Sequence, residues 1–230
     1  MLTGTTGHLA LATAFFLLIH VLPVLPLRAK IVGAIGEMPY RGLFSAVSLA
    51  GLFWMVAAFN DASFSGMAWY NPGPLQYLSA LLVLIGFFLW IGGMTQPNPG
   101  AIGASVPSSG DPARGYMRIS RHPFLSSVVL WGLAHLLVRG DFNALFFFGG
   151  LLLLAATGTL MIDSRRRASD PEDWARYSAV TSIIPFLAIL QGRNHLSIRE
   201  LSLWRPILSI VLYAGFLHGH AALMGVSPLP

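Results

Sequence analysis

Six apolar stretches without charged residues constrain the fold of this chain more than any other feature. They contain no Asp, Glu, Lys or Arg, and each has, or nearly has, the roughly 17 to 25 apolar residues that cross a bilayer as a helix. The stretches cover residues 8–27, 42–59, 74–95, 122–138, 142–162 and 206–224. Only 10% of the 230 residues are charged, too few to cover a soluble domain. We predict an all-α integral membrane protein, a single transmembrane domain over residues 1–230 with about six helices in a bundle.

The basic residues fix the predicted orientation. If the first span runs from outside to inside, thirteen of the fourteen Lys and Arg residues fall in inner loops, and only Arg139 lies outside. This bias satisfies the positive-inside rule and places both termini on the non-cytoplasmic side of the membrane. It also accounts for the sequence pI of about 10.1, so the bilayer and not nucleic acid is the expected partner.

Two further segments bear on topology. The first residues, MLTGTTGH, lack the basic region of a signal peptide, so the first apolar stretch is predicted to remain as a span. Residues 177–190 are apolar but too short to span, and they contain Pro185. We predict a short interfacial or re-entrant segment there.

Histidine is the one ionisable residue type in or at the edges of these spans, and the chain has no cysteine. His20 lies about 12 Å from the inner boundary, and His135 about 19 Å, at the helical rise of 1.5 Å per residue. Ionisable residues inside a membrane usually have a function. These two depths are compatible with imidazoles on either side of a metallated macrocycle, and His8 or His220 could meet His135 from the outer side. Packed histidines, a haem, another metal or a proton relay all remain open.

The segment Arg118-Ile-Ser-Arg121-His122-Pro123 opens the fourth span. Two arginines just before a helix N-terminus would hold a carboxylate or phosphate at the inner membrane surface, although contact with lipid headgroups is the simpler interpretation. Trp131 and His135 are four residues apart and share a helix face, which ordinary packing also explains.

Taken together, these elements resemble the NnrU family of bacterial membrane proteins and its relative, the plastid zeta-carotene isomerase. The resemblance covers nearly the full length of the chain. It is carried by seven elements: His20 with Leu27-Arg28, Tyr40-Arg41, the Arg118–Pro123 block, Trp131-Gly-Leu-Ala-His135, Asp163-Ser-Arg165-Arg166, Thr181–Phe186, and the terminus Gly225–Pro230.

The resemblance implies haem b with bis-histidine iron. Its motif positions make His20 and His135 the ligands of the haem iron, with His220 as an alternative ligand. Cofactor contacts are then expected from His122, Arg118, Arg121 and Trp131. The NnrU branch implies a multi-pass protein of the bacterial inner membrane, linked to nitrite and nitric oxide metabolism in denitrification or to redox sensing.

Two enzymatic alternatives accompany this expectation, so whether the chain is an enzyme stays open. The first is a haem-dependent cis-trans isomerase of a lipid-soluble polyene such as zeta-carotene, although Phe59-Asn60-Asp61 stands where the isomerase relative has a further histidine. The second is an S-adenosylmethionine-dependent membrane methyltransferase, because the Arg-His-Pro block also resembles the isoprenylcysteine carboxyl methyltransferase superfamily. That superfamily has paired glutamates where this chain has Asp163 and Arg165. A membrane scaffold with packed histidines would need no cofactor.

Overall fold

A computed structural model describes residues 2–71, 73–101, 104–107 and 109–230. Its α-helices are α1 Thr6–Val21, α2 Leu27–Ile35, α3 Glu37–Asp61, α4 Pro74–Thr95, α5 Tyr116–Ile119, α6 Pro123–Val138, α7 Phe142–Ser169, α8 Pro171–Val180, α9 Leu187–Leu190 and α10 Trp204–Met224. Short 3-10 helices cover Leu22–Val24 and Ile198–Leu201, and two strands, β1 Met67–Tyr70 and β2 Arg139–Asp141, complete the described elements.

Within the described ranges, the long helices α1, α3, α4, α6, α7 and α10 alternate in direction. The Thr6 hydroxyl donates to Asn143 Oδ1 at 2.6 Å, which places the start of α1 beside the start of α7. At the other end of the bundle, Arg205 at the start of α10 donates to Thr95 at the end of α4. We call this second end, where Arg121 and Arg205 lie, the basic end. The end that carries Arg139 is the opposite end.

Four of these helices are long and apolar enough to cross a membrane: α3, α4, α7 and α10. They correspond to the predicted spans 42–59, 74–95, 142–162 and 206–224, and α4 has the predicted bounds. Helices α1 and α6 are apolar but have 16 residues each, about 24 Å at the helical rise. A multi-pass helical protein is therefore confirmed, whereas the count of six spans and the sidedness of the termini stay predictions.

Prolines account for a difference in the first predicted span, residues 8–27. Helix α1 ends at Val21, a 3-10 turn over Leu22–Val24 follows, and α2 begins at Leu27. Pro23 and Pro26 lack the backbone N–H that a continuing α-helix needs, so the chain turns here instead of extending to residue 27. The separate helix α2, Leu27–Ile35, has no counterpart in the prediction.

A small two-stranded antiparallel sheet joins the loops at the opposite end. Strand β1 pairs with β2, with Trp69 opposite Gly140 and Tyr70 opposite Arg139. The Trp69 indole N–H donates to the Leu136 carbonyl at 2.7 Å, which ties the loop before α4 to the end of α6. Pattern analysis of the spans does not predict these short strands, because they have three or four residues each.

The predicted interfacial segment 177–190 packs against the loop before α6. Its first residues belong to the amphipathic helix α8, and its last four form α9. The residues between α8 and α9 bond the loop before α6. The Ser182 carbonyl accepts from the Arg121 N–H at 2.7 Å, and the Phe186 N–H donates to the Ile119 carbonyl at 2.8 Å. Tyr177 and Ala188 are fully buried, whereas Ile184 and Leu190 are 61% and 81% exposed, so protein covers the segment only in part.

Helices α4 and α6 make the most extensive helix contact, and glycine permits it. A Cβ atom on Gly93 would lie 2.6 Å from the backbone nitrogen of Phe124 at the start of α6. Backbone cannot yield as a flexible side chain can. Close approach of the two helices therefore requires a residue without a side chain at position 93.

We expect Gly93→Ala to lower the free energy of unfolding in detergent by about 1–3 kcal/mol, as overpacking of a closed contact does. The matched control is Gly215→Ala in α10, where a Cβ atom meets nothing within 4 Å. That variant should unfold at or slightly above the wild-type denaturant concentration. Equal destabilisation of the two variants would contradict the close approach.

Candidate functional site

A buried ionic cluster lies at the basic end, where α6 begins. Arg121, His122 and Asp163 are 7%, 2% and 5% exposed. His122 Nε2 lies 2.7 Å from Asp163 Oδ1, and the other carboxylate oxygen accepts from Arg121 Nη1. Pro123 occupies the first position of α6, and this start of the helix sets His122 at the N-cap. Asp163 reaches the cluster because α7 continues beyond its apolar part to Ser169.

The remaining guanidinium donors of Arg121 bind the segment after α8. Nε donates to the Thr181 hydroxyl at 3.0 Å, and Nη2 donates to the Thr181 carbonyl at 3.1 Å. Burial lowers the pKa of Arg121, and the adjacent Asp163 carboxylate opposes that shift. Burial also raises the pKa of the nearby Tyr177 phenol, which is fully enclosed. The charge of Arg121 is therefore compensated inside the protein.

Arg118 forms a second cluster next to the first. It is 4% exposed, and it donates to Glu200 at 2.8 and 2.9 Å, to Asp111 at 2.7 Å and to Asn194 at 2.8 Å. The hydrogen bond from Arg118 is the main cause that lowers the pKa of Glu200 to about 2, and the Gly115 N–H bond adds to it. The loop before α6 and the loop before α10 are thus held together by one guanidinium.

These clusters bear on the predicted anion site. The structure brings Arg118, Arg121 and His122 together, as the sequence indicated, but each arginine already binds carboxylates or other acceptors of the protein. A haem propionate or a phosphate would have to displace them. Contact of Arg118, Arg121 or His122 with a haem stays a prediction.

Among the deep histidines, His135 lies in an aromatic cluster near the opposite end. Its ring stacks on Phe148 at 4.4 Å between centroids and lies 4.8 Å from the Trp131 ring. The His220 ring of α10 is 6.5 Å away, with 28° between the two ring planes. The structure therefore brings together Trp131, His135 and the alternative ligand His220.

His20 lies elsewhere along the bundle, beside Phe16 at 4.6 Å and Phe44 at 5.5 Å. Thr13 and Gly132 pack at the same level of α7. His20 is seven residues beyond Thr13 toward the basic end, and His135 is three residues beyond Gly132 toward the opposite end. Their backbones are thus offset by about 15 Å along the bundle.

The side chains reduce this offset, because both rings turn back along their helices. His20 Nδ1 bonds the Phe16 carbonyl at 2.7 Å, and His135 Nδ1 bonds the Trp131 carbonyl at 2.8 Å. Helices α1 and α6 run in opposite directions, so the two rings lean toward each other. Phe16 and Phe148 belong to one buried apolar cluster between them.

The hydrogen bonds of the three candidate ligands suit iron. His220 Nδ1 bonds the Val226 carbonyl at 2.8 Å, so His20, His135 and His220 all have Nδ1 on a backbone carbonyl. That bond fixes the tautomer and leaves the Nε2 lone pair for a metal, which is the arrangement ligating histidines have. The chemistry of the residues present therefore fits a haem. Which two of them form a ligand pair is open.

The remaining histidines differ. His8 Nε2 accepts from the Trp54 indole at 2.9 Å, so this nitrogen is already engaged. His218 and His195 are exposed. Within the described ranges, no group of three or more His, Asp or Glu side chains is arranged to hold a metal ion.

The sequence does not predict the hydrogen-bond partners of Arg118. Glu200, Asp111 and Asn194 are 82, 7 and 76 residues from Arg118 in the chain. One signal was present: buried arginines need carboxylates, and the chain has only nine acidic residues. The sequence places Asp163 directly after the predicted span 142–162, but it does not predict that Asp163 is the shared partner of Arg121 and His122.

The architecture and these two regions define a multi-pass helical membrane protein with a charged basic end and a histidine–aromatic cluster toward the opposite end. The chain belongs to the NnrU family, whose model, described as NnrU protein, matches residues 8–228. It is also similar to two proteins named 15-cis-zeta-carotene isomerase, chloroplastic. The one from Arabidopsis thaliana is 29% identical over 70% of this chain, and the one from Zea mays is 28% identical over 70%.

The matches cover 44% and 45% of those two relatives, so the chain spans about half the length of the curated relatives it matches. No solved structure matches it significantly. The relatives are chloroplast proteins, and the bacterial inner membrane as the location of this chain stays a prediction.

We expect Asp163→Asn to lower the free energy of unfolding by about 3–5 kcal/mol, because it leaves Arg121 buried without its counter-ion. The control is Asp173→Asn, whose side chain is 43% exposed in its pair with Arg176. That change should cost about 1 kcal/mol or less. Denaturant titration in mixed micelles measures both values, and a similar small loss in the two variants would contradict a buried ion pair.

Glu200 should make stability depend on pH. Its folded pKa, about 2, lies below the ordinary value of 4.5, so its stabilisation is complete above pH 4.5 and is lost as the pH falls through about 2. The difference in melting temperature between wild type and Glu200→Gln should therefore be constant above pH 4.5 and shrink below it. A difference that stays constant down to pH 2.5 would show that Glu200 is not held as a carboxylate.

Proposed function

We propose that this protein is a membrane-embedded cis-trans isomerase of a lipid-soluble polyene, with haem b held by histidines of the bundle. The observation that carries the proposal is the group of imidazoles in apolar helices, each with Nδ1 on a backbone carbonyl. The names of the two relatives support the reaction class, because both are 15-cis-zeta-carotene isomerases.

His135 is the residue we assign first to the iron. It lies among Trp131, Phe148 and His220, and the last of these is the nearest second imidazole. His20 is the other candidate partner, since its ring leans toward the same apolar cluster from the basic end. When bound, haem iron would supply a ligand position that can open toward an unsaturated substrate.

The chain's own residues would bind and orient such a substrate. A conjugated hydrocarbon has no polar group, so it is held by apolar area and aromatic contact. Phe147, Phe148, Trp131 and Phe16 provide that surface between His20 and His135. Helices α6 and α10 expose apolar faces, including Leu133 and Val211, to the lipid phase from which such a substrate would come.

The role in nitrite and nitric oxide metabolism rests on the family resemblance and stays a prediction, as does redox sensing. The methyltransferase alternative also stays untested. We place the isomerase first because both similar proteins are named 15-cis-zeta-carotene isomerase. In the stretch Phe59-Asn60-Asp61, which stands where the isomerase relative has a further histidine, Phe59 stacks on Phe147 at 4.5 Å and so extends the apolar cluster.

The test uses purified protein in lipid nanodiscs. Absorption spectra of oxidised and dithionite-reduced protein report haem, and chromatography of 15-cis-zeta-carotene incubated with reduced protein reports isomerisation. We expect His135→Ala to lower haem content and conversion by more than about tenfold, the loss expected at a ligand position. Exposed His195→Ala is the control and should change neither.

Parallel His20→Ala and His220→Ala variants identify the second ligand, because only the true partner should lose the low-spin spectrum. Haem-replete protein that leaves the carotene unchanged removes the isomerase, and nitric oxide binding to the reduced form would then favour the nitrogen-oxide role. Conversion of the carotene by protein without haem absorbance would rule out a role for haem.

A further inference from the structure

A cavity of about 510 Å³ opens at the basic end, beside the buried ionic cluster. The ends of α4 and α7 and the start of α6 form its apolar wall, which includes Gly93, Phe124 and Ile162. The loop after α4 forms its other wall, with Gln96 and Asn98. The space therefore lies where the apolar parts of the helices meet polar loops. That position suits a molecule with an apolar body and a small polar head.

His122 gives this cavity a defined hydrogen-bonding character. Its Nε2 bonds Asp163 at 2.7 Å, and Asp163 is a carboxylate paired with Arg121, so Nε2 carries the proton. In the neutral imidazole, Nδ1 is then a lone pair, able to accept one hydrogen bond. Gly100 packs closely against this nitrogen, because a Cβ atom on it would lie 3.2 Å away, and both residues line the cavity.

The loop in front of His122 is held in place. Gly100 N–H donates to the Asn98 side chain at 2.8 Å, forming a tight turn. From α7, Arg166 donates to the carbonyls of Ala101 and Ala104, both of which line the cavity. These bonds hold Gly100, Ala101 and Ala104 at the cavity wall, and a binding site requires such fixed positions.

We propose that this cavity binds a lipid-soluble molecule whose head carries a hydroxyl group, with that hydroxyl donating to His122 Nδ1. The apolar tail lies along Phe124 and Leu125 toward the bilayer. A hydrocarbon polyene has no hydroxyl that could donate to this nitrogen. We therefore propose this cavity as a second site, distinct from the histidine–aromatic cluster around His135. A diacylglycerol-type alcohol and a quinol share the required chemistry.

A photoreactive long-chain alcohol, with a diazirine next to its hydroxyl, tests the proposal on the full-length protein in nanodiscs. Its methyl ether lacks the donor and is the matched probe. Mass spectrometry of the adducts should locate alcohol labelling in residues 93–104 and 122–125, about fivefold above the ether, as one hydrogen bond gives. Equal labelling by the two probes would overturn the proposal.

Gly100→Leu fills the space before the imidazole and should reduce alcohol labelling to the level of the ether. Gly33→Leu is the control, because a Cβ atom there meets nothing within 4 Å. Ala101→Leu narrows the cavity from its exposed rim and replaces Gly100→Leu if that variant does not fold. Unchanged labelling in a folded cavity variant would count against the site.

Competition identifies the source of the hydroxyl. Protection by decylubiquinol assigns a quinol, and protection by dioctanoylglycerol assigns a neutral lipid alcohol. Protection by neither, or by S-adenosylmethionine instead, would overturn the proposal. Because this assay does not depend on haem or on carotene conversion, its failure is distinct from failure of the isomerase proposal.

Discussion

The contact of Arg121 with Asp163 is the interaction on which the basic end of the molecule depends. Both groups are buried, and removing such a pair from water costs several kcal/mol per ion unless other hydrogen bonds complete it. His122 and Thr181 supply those bonds. The Arg121–Asp163 pair therefore joins three parts of the chain: the start of α6, the end of α7 and, through the Arg121 bonds to Thr181, the segment after α8. The adjacent Arg118 cluster extends the same network to the loop before α10.

The two ends of the bundle consequently have different chemistry. At the basic end, arginines and carboxylates neutralise one another, and the imidazole of His122 has a fixed proton position. Toward the opposite end, His135 lies among Trp131 and Phe148 with the His220 ring beside it, and the Nδ1 atoms of the two histidines bond backbone carbonyls. A neutral imidazole with a free Nε2 suits a metal, whereas one with a carboxylate on Nε2 suits a hydrogen-bond donor. The histidines at the two ends therefore differ in the ring nitrogen left to bind a partner, which is Nε2 in His135 and His220 and Nδ1 in His122.

Some of this organisation could be predicted from sequence, and the reasons are physical. The span 74–95 was found with its bounds because a bilayer demands a minimum apolar length, and Pro74 begins a helix well. The same length rule overlooked the turn after Val21, because Pro23 and Pro26 are apolar yet cannot continue a helix. The partners of Arg118 were beyond reach, since Glu200 lies 82 residues away and only the tertiary fold brings it near. The deep histidines could be identified because an ionisable group within an apolar run is costly and usually has a function.

Helix α6 connects these two chemistries, and its length limits what each can do. His122 and His135 are thirteen residues apart, or about 20 Å along the axis, more than the reach of either side chain. A hydroxyl bound at His122 therefore does not contact a metal at His135. Two helices connect the sites: α6 carries both histidines, and α7 carries Phe148 beside His135 and Asp163 beside His122. Helix α4 packs closely along α6, and the absent Gly93 side chain allows it, so the two sites share a rigid support.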